Sequence, residues 1–500
     1  MTIVDRLSTL EGADLLFGGS SPSDSLLIGG EWRAADSVVE FDVTDPATGA
    51  VIAAVADGGA AEARAAISAA ASARKAWAST TAYERAAVLD RAHRIMRERA
   101  EALAQLMTLE QGKPLRAARL EVAYAADFLS WFAEEAKRNY GRTIPSARAD
   151  QRFLVQQRPV GVVAAITPWN YPISMITRKL GPALAAGCPV VLKPASETPL
   201  CAIATMRILQ EAGAPAGVVN LVTGRAAAAI GEEFVSHHDV AKITFTGSTR
   251  VGKTLAAAAA GRLKRVSMEL GGHAPFIVFD DADPVHAAKG AAAIKMLNTG
   301  QACIVPNRYF VHRSLVELFT QTLVGRLSGL RIGSGFEEGV TVGPLISETA
   351  VDRMQAQVDD AVAKGATVLA GGSRPDDRAL AGGHFYPPTV LAGVSADMVI
   401  YREETFGPIA PVIVFDSEDE VIQMANDTSY GLASYVYTRD IARAFRVSEQ
   451  LEFGIVGIND INPTSAAAPF GGMKESGFGR EGAIEGLTEY LETQLVGLSV

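Results

Sequence analysis

The amino-acid sequence predicts an α/β protein with two domains, each built on a parallel sheet, joined near residue 270. Two series of short apolar runs, separated by Ala- and Leu-rich segments of helix length, carry this prediction. One series starts near residue 159 and the other near residue 274. Strands that are apolar throughout are typical of parallel sheets covered on both faces. A chain of 500 residues is also too long for one simple core, which favours two or three domains.

The part of the chain before the first series has other patterns. Residues 26–56 alternate short apolar runs with turns, which predicts a β-hairpin region. Residues 59–140 are rich in Ala, Glu, Arg and Leu at helical spacing, which predicts two or three long amphipathic helices. A coiled coil is disfavoured because the heptads do not persist.

Four strands are predicted in each series, and helices are predicted between them. The first series comprises PVGVVAAIT (159–167), CPVVLKP (188–194), GVVNLVTG (217–224) and AKITFTG (241–247). The second comprises APFIVFDD (274–281), NRYFVH (307–312), TVLAG (389–393) and PIAPVIVFD (408–416), with a helix ending near Leu297. This alternation indicates βαβ units.

Composition excludes several classes of function. The formal charge is −10 and no basic block occurs, so nucleic acid is not an expected partner. The longest apolar runs are well short of the ~20 residues that span a bilayer, and the first residues do not read as a signal peptide. Only 3 cysteines occur, which is typical of a reducing cytoplasm, and we expect a cytoplasmic protein. The 7 histidines form no metal-ligand motif, so no catalytic metal is expected.

Several residues have types and positions that suit catalysis or ligand binding. Cys303 follows a polar, glycine-containing segment, where a cysteine is either a small packing residue or a nucleophile. Glu269 is flanked by apolar residues, which should raise its pKa and suit a general base, or it forms a buried ion pair. Asn170 and Lys193 follow predicted strands, at the edge where α/β sheets bind ligands. The turn Gly247–Gly252 opens a helix whose N–H groups suit a pyrophosphate, although an ordinary βα turn explains it equally well.

These motifs occur together in one order along the chain. They are P-W-N (168–170), K-P-A-S (193–196), F-T-G-S-x-x-x-G (245–252), E-L-G-G (269–272), N-T-G-Q-A-C (298–303) and E-E-T-F-G-P (403–408). In this respect the sequence resembles the aldehyde dehydrogenase superfamily from about Leu27 to the C-terminus. Within it, the sequence is most similar to the succinate-semialdehyde dehydrogenase group. The resemblance implies two Rossmann-type parallel-sheet α/β domains plus a small β oligomerisation element.

The resemblance also implies a mechanism and its residues. Cys303 would attack an aldehyde as a thiolate, and Asn170 with the Cys303 backbone N–H would hold the oxyanion of the thiohemiacetal. A hydride would then pass to NAD or NADP, and Glu269 would activate the water that hydrolyses the thioester. Lys179 and Glu481 would relay protons behind Glu269. Cys188 and Cys201 remain as packing residues.

For the cofactor and the substrate, the resemblance implies two further sets of residues. The cofactor set is Thr167, Pro168, Trp169, Lys193, Ser196, Gly247, Ser248, Gly252, Leu270, Glu404 and Phe406. The substrate set is Arg178, Leu297, Thr464 and Ser465. NAD-preferring relatives often carry a glutamate where this chain has Ser196, which favours NADP or dual use, although Glu197 is adjacent. Leu297 stands where the group has a second carboxylate-binding arginine. That leaves two substrates open: a succinate semialdehyde held less firmly, or a longer or aromatic aldehyde.

The implied domains are 1–141 with 162–269 for the dinucleotide, 270–460 for catalysis, and 142–161 with 482–500 for oligomerisation. We therefore expect a homodimer or homotetramer acting on a small aldehyde, without nucleic acid or membrane partners. A surface ion pair is the alternative role for Arg178. A CoA-acylating dehydrogenase is a rival reading, but it would not need Glu269. A non-enzymatic relative would not need Cys303 and Asn170.

Overall fold

The computed structural model describes residues 16–17 and 23–500. Up to Glu269 the strands are β1 (Leu26–Ile28), β2 (Glu31–Arg33), β3 (Glu40–Thr44), β4 (Val51–Ala56), β5 (Arg142–Ile144), β6 (Gln151–Pro159), β7 (Val162–Ile166), β8 (Val190–Lys193), β9 (Val219–Leu221), β10 (Val240–Thr246) and β11 (Arg265–Glu269). The helices are α1 (Ala60–Ala78), α2 (Ala82–Glu98), α3 (Ala100–Gln111), α4 (Leu115–Ala136), α5 (Ser174–Ala186), α6 (Pro199–Glu211), α7 (Ala227–Ser236) and α8 (Thr249–Ala260).

The remaining strands are β12 (Ala274–Val278), β13 (Pro306–His312), β14 (Arg331–Ile332), β15 (Val340–Val342), β16 (Thr367–Ala370), β17 (Thr389–Ala392), β18 (Ile409–Phe415), β19 (Tyr430–Gly431), β20 (Ala433–Tyr437), β21 (Ile455–Ile458), β22 (Met473–Lys474), β23 (Gly477–Phe478) and β24 (Leu491–Ser499). The remaining helices are α9 (Pro284–Lys295), α10 (Val316–Ser328), α11 (Glu348–Ala363), α12 (Val399–Arg402), α13 (Glu418–Asn426), α14 (Ile441–Gln450) and α15 (Ala483–Thr488), with a 3₁₀ turn at Leu297–Gly300.

Two large sheets carry the fold. The first has the order β2-β1-β9-β8-β7-β10-β11-β23, and its five central strands are parallel. The second has the order β16-β17-β18-β13-β12-β20-β21, and only β16 runs antiparallel to its neighbour. The chain changes sheet between Glu269 and Ala274. The predicted α/β fold class is confirmed, because apolar strands buried on both faces need helices on each side.

Four helices, α1 to α4, occupy the segment for which two or three were predicted, so that number was wrong. A Thr-x-x-Glu capping box starts α2 directly after the turn that ends α1, and Gly112 in the left-handed conformation ends α3. Local capping residues therefore divide the continuous helical spacing of residues 59–140 into more helices than the spacing alone predicts. Phe128 and Phe132 on α4 pack in the same core as α5.

A small separate sheet has the order β24-β6-β5, and β24 pairs with β6 along nine residues. It combines the two segments, 142–161 and 482–500, that are far apart in the chain. β24 lies at its edge and leaves Leu495, Leu498 and Val500 exposed. Among the residues that the structure describes, no helix combines the length and the apolar character that crossing a bilayer requires.

Candidate active site

Cys303 lies in the loop between α9 and β13, and the backbone before it is strained. Asn298 and Thr299 have φ of 48° and 57°, and Gly300 follows at 80°. Left-handed conformations are costly for residues with a Cβ, and such strain is concentrated at functional sites. Gln301 secures the loop because its Oε1 accepts the N–H of Ile346 at 2.9 Å. The approach to the candidate nucleophile is therefore held in one shape.

Asn170 is brought to this loop from the first sheet. It follows β7 in a short turn, is buried, and its Nδ2 donates to the backbone oxygen of Gln301 at 3.0 Å. In the other direction, Nδ2 of Asn298 donates to the backbone oxygen of Asn170 at 2.9 Å. Two reciprocal hydrogen bonds thus join the predicted oxyanion-binding amide to the segment that carries Cys303.

Cys303 itself is half-buried, whereas Cys188 and Cys201 are fully buried. Burial, and next the Glu269 carboxylate, raise the pKa of the Cys303 thiol, while the Arg178 cation lowers it. A Cβ on Gly272 would lie 2.2 Å from the backbone oxygen of Cys303, so only glycine permits this approach. This close packing explains the second glycine of the E-L-G-G motif.

Glu269 is the last residue of β11 and is buried. Its Oε1 has no hydrogen-bond partner among the described residues. Burial, and next the charge of Glu481, raise the pKa of the Glu269 carboxyl to about 8, against the lowering effect of Arg178 and Lys179. A buried carboxyl with a free oxygen and a pKa near neutrality suits a general base.

Glu481 links two basic residues of α5. One oxygen pairs with the Lys179 ammonium, and the other lies 2.9 Å from Nε of Arg178. Lys179 also donates to Oγ1 of Thr244 at 3.2 Å. Arg178 is 2% exposed, so the surface ion pair offered as its alternative role is wrong. Its guanidinium lies 4.0 Å from the centre of the Phe470 ring, and Nη2 has no hydrogen-bond partner among the described side chains.

The other residues predicted to bind substrate differ in their burial. Leu297, the first residue of the 3₁₀ turn, is half-buried and packs against the core of the second sheet. Thr464 is half-buried and Ser465 is exposed, in the loop that ends at Phe470. Within the described part of the chain, no hydrogen bond joins either hydroxyl to Arg178. Phe470, which the sequence patterns did not single out, is the residue of this loop that contacts the guanidinium.

The predicted dinucleotide residues lie at the carboxyl edge of the first sheet. α8 begins directly after β10, and the Ser248 side chain does not cap it, so the first N–H groups of the helix remain available. A Cβ on Gly252 would lie 2.3 Å from Cδ2 of Leu270, which explains the glycine by close helix–strand packing. A free helix N-terminus binds a pyrophosphate well, and the residues present fit a dinucleotide.

Lys193 ends β8 and is buried, with Nζ donating to the backbone oxygen of Pro194 at 2.9 Å. Burial lowers the pKa of this lysine, while Glu197 and Asp57 raise it. Ser196 is half-buried and donates to Oε2 of Glu197, which is exposed. The hydroxyl, rather than the carboxylate, is thus the less exposed of the two neighbours.

A second group of predicted cofactor residues lies near the nucleophile. Oε1 of Glu404 accepts the N–H of Gly272 at 2.8 Å, and burial raises the pKa of Glu404 to about 7. The rings of Trp169 and Phe406 meet edge to face at 5.6 Å. Three other predicted cofactor residues complete the set. The backbone N–H of Thr167 donates to the backbone oxygen of Lys193, and Pro168 is half-buried. The N–H of Gly247 donates to the Glu269 carbonyl at 3.1 Å.

Sequence reasoning missed the buried pair Lys113 and Glu121. Their side chains form an ion pair, each 1% exposed. The sequence does contain a signal, because Glu121 lies in the apolar stripe of α4 with Ala118, Val122 and Ala125. A charged residue at core spacing is almost never buried without a partner.

One group of side chains with metal-ligand chemistry occurs among the described residues. His237, His238 and Asp239 precede β10, at the edge of the first sheet opposite to the one that carries Asn170 and Glu269. This group therefore does not belong to the candidate active site. The expected absence of a catalytic metal stays a prediction.

Comparison with known proteins agrees with this geometry. Residues 32–496 match the model of the aldehyde dehydrogenase family. The chain is 52% identical to a 3-sulfolactaldehyde dehydrogenase of Pseudomonas putida, over 94% of this chain and 96% of that protein. It is also 52% identical to the NADP(+) succinate-semialdehyde dehydrogenase of Escherichia coli, over 93% and 96%. A crystal structure of an NADP-dependent enzyme of E. coli superposes with a TM-score of 0.94 at 50% identity, covering 97% of this chain and 99% of the other. By the family match over most of its length and by these identities, the chain belongs to the aldehyde dehydrogenase family and is an enzyme that oxidises aldehydes with NADP or NAD.

Proposed function

We propose that this enzyme converts a short aldehyde with a remote acid group, such as succinate semialdehyde, into the carboxylic acid, with NADP as the favoured cofactor. The observation that carries the proposal is the hydrogen bond from Asn170 Nδ2 to the backbone of Gln301, two residues before Cys303. This bond joins the oxyanion amide and the nucleophile loop, which come from different sheets.

We assign the first covalent step to Cys303. Its Sγ forms a bond with the aldehyde carbon, and the carbonyl oxygen gains a negative charge. Nδ2 of Asn170 and the backbone N–H of Cys303 donate to that oxygen. Preorganised donors at an oxyanion are worth about 10²–10³ in rate for each one. When bound, NADP or NAD accepts the hydride that leaves this carbon.

Glu269 serves as the base for the water that releases the acid. Its free Oε1 is the atom that takes the water proton. Lys179 and Glu481, joined by their ion pair, then carry the proton away from Glu269. Because burial and Glu269 raise the pKa of the thiol, Cys303 also needs a base to become the thiolate. The Glu269 carboxylate, whose charge raises the pKa of that thiol, is the candidate for this base.

The preference for NADP rests on the end of β8. Lys193 and the Ser196 hydroxyl present a cation and a neutral donor to the adenosine ribose. A 2′-phosphate gains a charge-assisted hydrogen bond from Lys193 there, and the exposed Glu197 carboxylate, which accepts from Ser196, turns away to solvent when the phosphate binds. The names of the E. coli relative and of the matched crystal structure include NADP, which supports the same preference.

The acid group of the substrate is assigned to Arg178. The two named relatives act on aldehydes that carry a carboxylate or a sulfonate. The partnerless Nη2 is the part of Arg178 that remains for such a group, since Glu481 pairs with Nε. With Leu297 in place of a second arginine, the binding free energy of the acid group is weaker by about 1.5–3 kcal/mol.

The domain division also enters as a proposal. Residues 1–141 with 162–269 form the dinucleotide-binding domain and 270–460 the catalytic domain. The sheet β24-β6-β5 is the oligomerisation element of a dimer or tetramer. Its nine-residue edge strand with exposed leucines supports this assignment.

Steady-state oxidation of succinate semialdehyde, a neutral aliphatic aldehyde and benzaldehyde tests the proposal, with each cofactor and with or without CoA. We expect the highest kcat/KM with the semialdehyde and NADP, and no stimulation by CoA. The Arg178→Lys variant, which keeps the charge, is the control for Arg178→Ala. If Arg178→Ala lowers kcat/KM equally for acidic and neutral aldehydes, Arg178 does not bind the acid group. A preference for benzaldehyde would favour the longer or aromatic substrate.

A further inference from the structure

Within the described part of the chain, the side chains of the buried ion pair Lys113–Glu121 make their other hydrogen bonds to one short segment, residues 170–174. Nζ of Lys113 donates to the backbone oxygen of Asn170 at 2.8 Å. Oε1 of Glu121 accepts the N–H groups of Ile173 and Ser174 at 3.1 and 3.2 Å. The pair therefore holds the middle of the turn between β7 and α5, at Asn170, and the junction of that turn with α5. Nζ also lies 4.1 Å from the centre of the ring of Tyr171, inside that turn.

A buried ion pair is weak evidence for stability, because removing two charges from water offsets most of their attraction. Its value is better sought in the geometry that it enforces. Here the enforced geometry is that of Asn170, whose carbonyl receives Lys113 on one side and Asn298 on the other. The Asn170 side chain is then left to donate to Gln301, beside Cys303.

Glu110 provides a comparison, because it is a second buried carboxylate that accepts N–H groups at the start of a helix. Glu110 on α3 is also fully buried, and it accepts the N–H of Cys201 at 3.0 Å, together with that of Leu200, at the start of α6. The turn before α6 carries Ser196, a predicted cofactor residue, but no predicted catalytic residue, whereas Asn170 lies three residues before Ile173, which Glu121 holds. Glu110 is thus a matched structural contact.

We propose that Lys113 and Glu121 are positioning residues that hold the Asn170 amide at the oxyanion position beside Cys303. This inference rests on the proposed function, since it assumes that Asn170 binds the oxyanion. The pair does not touch the reacting atoms and acts through Asn170 alone. Its loss should slow the attack on the aldehyde and leave both hydrolysis of the thioester and cofactor affinity unchanged.

The test is the double variant Lys113→Met/Glu121→Gln, which removes both charges and leaves no unpaired charge buried. We expect the pre-steady-state burst of NADPH with succinate semialdehyde to slow by about 10- to 100-fold, the range for a misplaced catalytic group. The single variant Glu121→Gln, close in shape, repeats the measurement if the double variant does not fold. Glu110→Gln is the matched control and should keep the wild-type burst rate even where it lowers the melting temperature.

A double-mutant cycle with Asn170→Ala separates positioning from general damage. If the pair acts through Asn170, the double variant slows the burst less than about twofold in the Asn170→Ala background, because the coupled group is already absent. An equal loss in both backgrounds, or an equal loss in Glu110→Gln, overturns the inference.

A wild-type enzyme that forms no NADPH or NADH with any aldehyde would refute the proposed function instead. Hydrogen exchange then decides the inference by itself, because it measures the turn and not the reaction. The amides of Ile173 and Ser174 should exchange faster in the Lys113/Glu121 variant and at the wild-type rate in Glu110→Gln. Unchanged exchange of these two amides in the variant contradicts the proposal that Lys113 and Glu121 hold the turn.

Discussion

At the scale of single residues, the carboxyl of Glu269 makes a prediction about pH. Its pKa is raised to about 8 by burial and by Glu481, so it becomes a base only as the pH rises through that value. Turnover limited by thioester hydrolysis should therefore increase between pH 7 and 9 with an apparent pKa near 8. Glu269→Gln should lose this increase and accumulate acyl-enzyme, whereas Cys303→Ala should lose the burst altogether. A burst in Cys303→Ala would contradict the assignment of the nucleophile.

The raised pKa of Glu269 also affects stability. A rise in pH should increase turnover but lower the free energy of unfolding. The folded enzyme holds the Glu269 proton up to about pH 8, whereas the unfolded chain loses it near the ordinary value of 4.5. The contribution to stability is therefore complete below pH 4.5 and is lost as the pH rises through 8. It declines by at most about 1.4 kcal/mol per pH unit. Compared with the wild type, Glu269→Gln should gain melting temperature on going from pH 6 to pH 9. A difference that does not vary with pH would show that the carboxyl is already ionised in the folded enzyme.

Leu297 makes a prediction about the substrate. An arginine at this half-buried position would supply the second charged donor that the resemblance to the succinate-semialdehyde dehydrogenase group implies. Leu297→Arg should raise kcat/KM for succinate semialdehyde by roughly 10- to 150-fold, the equivalent of about 1.5–3 kcal/mol. Leu297→Met, which changes shape but adds no charge, is the control. A gain of the same size for a neutral aldehyde would mean that the arginine acts on access to the site and not on the acid.

At the scale of elements, the contact between Gly252 of α8 and Leu270, which follows β11, makes a prediction about cofactor binding. A Cβ at Gly252 would lie 2.3 Å from Leu270, so either that side chain or the first turn of α8 must move. Gly252→Val should weaken NADP binding several-fold, measured by fluorescence titration, because the helix N–H groups lose their place at the phosphates. Gly231→Ala on α7 is the control, since its Cβ would meet Leu255 of α8 at an ordinary 3.7 Å. Unchanged affinity in Gly252→Val would separate the α8 N-terminus from the cofactor.

At the scale of the whole molecule, the sheet β24-β6-β5 makes a prediction about assembly. Leu495 on the edge strand β24 is 61% exposed, and an exposed edge with apolar side chains is a site for pairing with another chain. Leu495→Lys should shift the mass measured by light scattering to a smaller species. Leu263→Lys, at a site that is 94% exposed outside this sheet, should leave the mass unchanged. Equal masses for the two variants would exclude this edge from the interface.

The sequence by itself determined the fold class and the eight strands of the two predicted series, and it predicted the chemistry of the main site residues. The apolar strands of both sheets are local patterns, and the resemblance in motifs pointed to Cys303, Asn170 and Glu269. The turn between β10 and α8 at Gly247 was also predicted from the sequence, because turn residues determine the backbone conformation of the residues next to them. The number of helices between residues 60 and 136 was misjudged, because caps such as Thr81 and Gly112 interrupt a continuous helical pattern.

Tertiary structure alone decided which of these side chains meet and how they are charged. Glu481 pairs with Arg178 and Lys179 across some 300 positions of sequence, and this burial excluded a surface role for the arginine. Lys113 and Glu121 gained their contacts with the Asn170 turn only when α4 packed against α5. Hydrogen bonds and desolvation depend on distances between segments that no local pattern encodes. The apolar neighbours of Glu269 predicted a raised pKa, but the charges that act on its carboxyl and the position of Asn170 follow from the fold.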